Sequence, residues 1–227
     1  MNEPPANTRS DVLKNLAKLI VKVNPKDFAR VAIDGIDAAG KTRLADELAP
    51  LIETLGRPVV RCSIDGFHRS RAERHRQGRE SPRGYYEDSF DLPSIRREVL
   101  KPLGPGGNGR YLPAAFDFRT DLAIAATPIT APPRAVLLFD GVFLMRPELN
   151  DCWDFRVFVR VNFATSLRRT LGRDVPALGT TDDVRRLHEL RYHPGQRLYL
   201  AEARPEEQAD VILVNDEPVK PVLIEKS

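Results

Sequence analysis

The sequence predicts an α/β fold: a five-stranded, mainly parallel sheet covered by helices on both faces, a three-layer sandwich. Two observations carry that expectation. Five short apolar runs, most rich in β-branched residues, alternate with helical or irregular stretches, the pattern of repeated strand–helix units. The first run also passes through a glycine-bounded loop straight into an amphipathic helix, as a buried parallel strand does.

Taken in order, residues 1–27 read as an extension with one helix. In "SDVLKNLAKLIVKV", Val12, Leu16, Leu19 and Val23 share a face, Ser10 is a candidate N-cap, and Pro25 follows the end. The helix packs on the core or, alternatively, lies on a membrane surface. A single domain then spans 28–227. Its first strand, "ARVAID", is followed by a helix with Leu44, Leu48, Leu51, Ile52 and Leu55 at helical spacing, stopped at Gly56. Further strands are expected at 58–64, 134–140, 154–161 and 209–215. Between the second and third lies an insertion, 66–133, too long for a plain connection and placed to bind a substrate. After the fourth, an arginine-bearing helix opens a lid over about 166–190.

The loop between the first strand and its helix reads "GIDAAGKT", the pattern G-x-x-x-x-G-K-[ST]. The alternative is a turn that ends in lysine by chance, but such a turn needs neither the strand before it nor the helix after it. Backbone amides from Gly35, Asp37, Ala38, Ala39 and Gly40 through Lys41, Thr42 and Arg43 can converge on phosphate oxygens, with the helix start adding partial positive charge. Lys41 then reaches the β- and γ-phosphates of ATP, and the Thr42 hydroxyl ligates Mg²⁺. The Asp37 side chain either touches a substrate hydroxyl or caps the loop.

Ligands of such sheets gather at the carboxyl ends of the strands. Asp65 emerges there in "SIDGFH" and can accept the proton of an attacking hydroxyl; the alternative is an Asp-Gly turn. Asp140, ending "LLFD", fits an acid that holds Mg²⁺, with the same alternative. Arg169 and Arg173, one helical turn apart in "SLRRTLGRD", can neutralise charge on a transferring phosphoryl group, or belong to a solvated face. In the insertion, Tyr85, Tyr86 and Asp88 can stack on and hydrogen-bond an acceptor, or pack the insertion on the core. Arg71, Arg74 and Arg83, near His68 and His75, can grip a sugar phosphate or serve as a solvated segment.

The whole-chain balance narrows the classes. A net charge of +3 over 227 residues gives no case for nucleic acid or membrane. Two cysteines make no disulfide framework and no metal spacing, which fits a reducing, cytoplasmic setting. The first residues lack the basic-then-apolar signature of a secretory signal. No Asn/Thr-Lys-x-Asp guanine motif is present.

From Ala29 to Asn215, "SIDGFH", "SPRGYYEDSFDL", "AAFDF", "LLFDGVFL", "RRTLGRD" and "RYHPGQRLYL…ADVILVN" follow one another as in uridine kinase-like proteins. The chain resembles the phosphoribulokinase/uridine kinase group of P-loop kinases. The resemblance implies a P-loop NTPase core, ATP and Mg²⁺, and transfer of the γ-phosphoryl group to a small-molecule hydroxyl. Asp65 matches the acceptor-side acid, Asp140 the metal-side acid, and Arg169 and Arg173 the lid arginines. His68, Phe116, Asp117 and Asp121 fall on the acceptor side. Where that group usually carries histidine in its acceptor hairpin, this chain has Asp121. A carboxylate is acceptor-only, so a nucleoside acceptor should carry an amino group, favouring cytidine over uridine. The expected enzyme is a phosphotransferase with an alcohol acceptor, uridine kinase-like. Its alternatives are a kinase for a sugar phosphate or other alcohol, and a nucleotide-binding protein without transfer. A homo-oligomer is left open.

Overall fold

The computed structural model describes residues 8–226, and of residues 173–178 the backbone alone. Ten strands occur in chain order among them: β1 Ala29–Asp34, β2 Val59–Ser63, β3 Arg110–Tyr111, β4 Phe116–Asp117, β5 Leu122–Ala123, β6 Ile129–Thr130, β7 Val136–Gly141, β8 Phe155–Arg160, β9 Val211–Val214 and β10 Val222–Glu225. Six of them form the central sheet in the order β10-β9-β8-β1-β7-β2. All five expected strands are present and parallel, within two residues of the expected ends. The count of five is corrected to six. β10 pairs antiparallel with β9 and has no second neighbour, so Val222 and Ile224 stay exposed and its sequence carries no buried-strand signature.

The apolar content of β1 and β7 follows from burial on both faces. One face of the sheet, through Val31, Ile33 and Leu138, packs on Leu44, Leu48 and Ile52 of helix α2 (Lys41–Thr54). The same layer takes Leu16 and Ile20 of helix α1 (Arg9–Ile20). The other face buries Leu137, Phe139 and Phe143 with Trp153, Ile95 and Tyr86. Helix α1 starts two residues earlier than its apolar pattern suggests: Thr8, not Ser10, is the N-cap, in a reciprocal capping box with Asp11. Arg9 fastens it to Glu47 of α2 at 2.9 Å.

The parallel register fixes where the chemistry collects. Ile33 pairs with Asp140, and Ser63 pairs with Asp140 from the other side, so the carboxyl ends of β1, β7 and β2 finish together. The insertion contributes two small antiparallel pairs, β3–β6 and β4–β5, beside short helical turns. No described helix is long and apolar enough to cross a membrane.

Candidate functional site

The loop after β1 is shaped by what it turns outward. The Ile36 carbonyl accepts Lys41 Nζ at 2.7 Å, and the Asp37 carbonyl accepts Ser166 Oγ at 2.7 Å. The Ala38 carbonyl accepts Arg169 Nη1 at 3.2 Å, and the Ala39 carbonyl accepts Asn215 Nδ2 at 2.7 Å. Four successive carbonyls of the loop are thus engaged, and the first amides of α2 have no intrahelical acceptor. Glycine is required at both ends. A Cβ on Gly35 would lie 2.4 Å from the Val159 carbonyl oxygen, and Gly40, at φ +95°, would bring one within 2.9 Å of Asn215 Nδ2. These are the features of an anion cradle.

At the α2 end of the loop, Thr42 Oγ1 donates to Asp140 Oδ2 at 2.7 Å, joining loop and β7. Arg61 of β2, which sequence reasoning missed, bonds Asp140 Oδ1 at 2.9 Å and Asp46 at 2.5 Å. Among the described residues no group of three or more His, Cys, Asp or Glu side chains could hold a metal ion. A hydroxyl and one carboxylate instead match Mg²⁺, which keeps waters and phosphate oxygens for the rest of its shell. Burial pushes the Lys41 ammonium down from its usual range, and the charges of Asp37, Asp34, Asp65 and Asp140 push it back up. Lys41 therefore sits among four carboxylates.

Asp34 is a second residue the sequence reading passed over. It is fully buried, and its carboxylate accepts Gly35 N at 2.6 Å, Leu144 N at 3.1 Å, Met145 N at 3.2 Å and the Tyr199 hydroxyl. One side chain thus ties the start of the cradle to the segment after Asp140 and to the helix His193–Ala203. The available signal was an acid at the end of an otherwise apolar buried strand, where it needs several donors.

Asp65 lies on a 3₁₀ turn, Ile64–Phe67, whose cap is Ser63. The residue is exposed to solvent on one side, yet the protein packed behind it pushes its carboxyl up, against the pull of His68 and Lys41. His68 is fixed rather than free. Its Nδ1 is 3.0 Å from the Asp65 carbonyl, and its ring lies between Phe90 and Phe118, with centroids at 4.6 and 4.9 Å. His68 and Phe116 also line a cavity of about 360 Å³ that none of the loop residues touches.

Several expected site residues are engaged elsewhere. Arg169 was expected over the transferring group; its guanidinium instead clamps the Ala38, Asn215 and Asp216 carbonyls behind the loop. The side chain of Arg173 lies outside the described residues. Arg43 pairs with Glu47 along α2 at 2.9 Å. Tyr86 is buried against Phe143 and Tyr199 with Arg146 over its ring, and Asp88 pairs with Arg76 at 2.6 Å, so both are packing residues of the insertion. Tyr85 alone of that trio reaches the loop, its hydroxyl 3.3 and 3.4 Å from the Asp37 carboxylate. Asp117 closes its own turn, accepting Arg119 N at 2.9 Å and Thr120 Oγ1 at 3.0 Å. Asp121 accepts Arg71 N at 2.8 Å and Arg74 Nη2 at 3.2 Å; these bonds outweigh its partial burial and hold its carboxyl below the usual range. That commitment removes the reason for expecting Asp121 to read a base. The arginine-rich stretch is likewise engaged: Arg74 with Asp121, Arg76 with Asp88, Arg83 with Glu87. The Arg74 and Arg83 guanidiniums are thus taken up by carboxylates, and Arg71 gives its backbone amide to Asp121.

No protein-family model matches the chain. Solved structures do match it. A protein from Bacillus stearothermophilus described as a possible uridine kinase superposes with a TM-score of 0.70 at 22% identity, over 89% of this chain and 97% of its own. One from Silicibacter, described provisionally as a fructose transport system kinase, reaches 0.68 at 24% identity, over 87% and 94%. A D-glycerate 3-kinase from Cryptococcus neoformans reaches 0.52 at 12% identity, over 82% and 89%. What is shared at these identities is the architecture, a mainly parallel sheet flanked by helices. In fold, the chain is similar to P-loop kinases of the phosphoribulokinase/uridine kinase group.

Proposed function

We propose that this protein is an ATP-dependent kinase that transfers the γ-phosphoryl group to a hydroxyl of a small molecule. One observation carries the reading. A carboxylate with a raised pKa, Asp65, stands at the end of β2 within the electrostatic reach of Lys41, at the same sheet edge as the Thr42–Asp140 pair. A phosphate cradle alone would suit any nucleotide-binding protein. A proton acceptor beside it has a use only if something is to be transferred.

In the reaction, Asp65 takes the proton of the acceptor hydroxyl as that oxygen bonds to the γ-phosphorus and the bond to the β-phosphate oxygen breaks, leaving ADP. Lys41 and the loop amides hold the phosphate oxygens and offset their charge. Thr42 and Asp140 would hold Mg²⁺, which supplies further charge neutralisation when bound. The similar structures are described as a possible uridine kinase, a fructose transport system kinase and a D-glycerate 3-kinase, so their names point to no single acceptor class. Nucleosides are therefore one candidate class, and free sugars and hydroxy acids are others.

The test is ADP release from Mg·ATP across a panel of nucleosides, sugars, sugar phosphates and hydroxy acids, beside the Lys41→Ala variant. Release that depends on one acceptor and on Lys41 supports the reading. Nucleotide binding with no acceptor-dependent release by any member would leave a binding protein.

A further inference from the structure

Among the described residues, Asp37 makes no hydrogen bond within the loop through its carboxylate. Its backbone is fixed by Ser166, and the donor bonded to its carboxylate among the described residues is the Tyr85 phenol. Those contacts, 3.3 and 3.4 Å, are far longer than the roughly 2.5–2.7 Å of a hydroxyl bound well to a carboxylate. The Asp65 carboxylate is bonded to no donor at all among the described residues. Two carboxylates therefore stand beside Lys41 with acceptor capacity unfilled, each close enough to Tyr85 to push its phenol pKa further up after burial has raised it.

Behind Tyr85 lies a second, independent irregularity. The helix His193–Ala203 begins directly after a π-helical turn, His188–Tyr192, whose extra residue rotates the face that follows. Gly195 is pressed so close to Tyr85 that a Cβ there would lie 2.8 Å from its Cδ1. One residue on, Gln196 is fully buried against the Tyr85 phenol, which it meets only loosely, outside normal hydrogen-bond geometry. His193 Nε2, one turn earlier on the same face, is also buried without a partner. A buried amide held this loosely has hydrogen-bonding capacity left for a further state of the site.

Among the described residues, three arginines of this region are committed. Arg191 donates to the Gly78, Arg79 and Arg74 carbonyls, Arg146 pairs with Glu148, and Arg169 is behind the loop. An acceptor that brought its own phosphate or carboxylate against Asp37 and Asp65 would meet two like charges, and these three arginines are already engaged.

Resting on the kinase reading above, we infer that Asp37 is a second acceptor-recognising residue, and that the acceptor is an uncharged polyol. One hydroxyl is activated by Asp65 and another is bound by Asp37. Tyr85 is a positioning residue: when the acceptor hydroxyl takes its place at Asp37, its phenol donates to Gln196 Oε1.

The experiment compares the full-length wild type with Asp37→Ala, Asp37→Asn and Gln196→Leu. The acceptors are matched sets: ribonucleosides, their 2′,3′-dideoxy forms and their monophosphates, and free sugars with their deoxy and phosphorylated forms. Expected are at least tenfold higher kcat/KM for polyols than for the deoxy and phosphorylated forms, and a tenfold or greater rise in acceptor KM for Asp37→Ala. Asp37→Asn, whose amide oxygen still accepts, should recover part of that loss, and Gln196→Leu should raise acceptor KM with the KM for ATP unchanged. A loop-capping Asp37 would instead raise the KM for ATP. That outcome, or unchanged acceptor KM, or preference for phosphorylated acceptors by an active wild type, overturns the inference while the kinase reading stands. A wild type that binds ADP and phosphorylates no member of the panel overturns both.

Discussion

The Thr42 hydroxyl donates to the Asp140 carboxylate at 2.7 Å, across 98 positions of sequence, joining the first turn of α2 to the end of β7. On the proposed function, these two oxygens would hold a divalent cation between loop and sheet. Replacing Asp140 by Asn, or Thr42 by Val, should raise the Mg²⁺ concentration needed for half-maximal rate about ten- to a hundredfold, whereas Thr42→Ser should preserve it. Activity titrated against Mg²⁺ at fixed ATP checks this; an unchanged midpoint would remove the pair from the metal site.

Asp65→Asn keeps the shape of the 3₁₀ turn and removes the proton acceptor. Turnover should fall about a hundredfold or more, while ADP affinity by calorimetry stays within about twofold. A variant that retains most of its turnover would reduce Asp65 to a turn residue.

Arg169 holds three carbonyls behind the loop with a guanidinium whose pKa is lowered by burial. Arg169→Ala should therefore destabilise the fold by about 2 kcal/mol and weaken nucleotide binding, with kcat at saturating ATP changed less. A thermal shift of about 4–8 °C would accompany it in a chain of this size. Loss of kcat alone, with Tm unmoved, would return Arg169 to the transferring group.

Burial raises the Asp34 carboxyl from the ordinary 3.8 to about 6. The folded protein then keeps a proton that the unfolded chain has already released between those values. This contribution is complete below about pH 4 and is lost as the pH climbs through about 6, for a total of about 3 kcal/mol. The stability of the wild type minus that of Asp34→Asn, from urea unfolding at pH 4 to 7, should fall across that window. A flat difference would mean that the four donors hold Asp34 ionised.

Much of this was legible in the chain because it is local. "GIDAAGKT" between an apolar strand and an amphipathic helix marks a strand–loop–helix turn with glycine at both ends. Asp65 and Asp140 were legible because parallel strands deliver their last residues to one edge. The edge strand β10 was not, since a strand with one neighbour and exposed Val222 and Ile224 needs no distinctive pattern. Nor was the engagement of Asp121, because its partners, Arg71 and Arg74, are drawn to it by a hairpin lying about 50 residues later.

By itself, the sequence determined the order of strands and helices, the two glycines of the loop, and the residue types that phosphoryl chemistry needs. Those follow from hydrophobic period, backbone freedom and charge, which act over a few residues. Only the tertiary structure decided which polar groups face the cleft and which are already bonded. It placed Arg169 behind the loop, Asp34 at the junction of three segments, and Asp37 opposite Tyr85 with Gln196 behind it. Hydrogen bonds and ion pairs act over only a few ångströms. Their partners therefore depend on which distant segments the sheet brings together, and no local pattern records that.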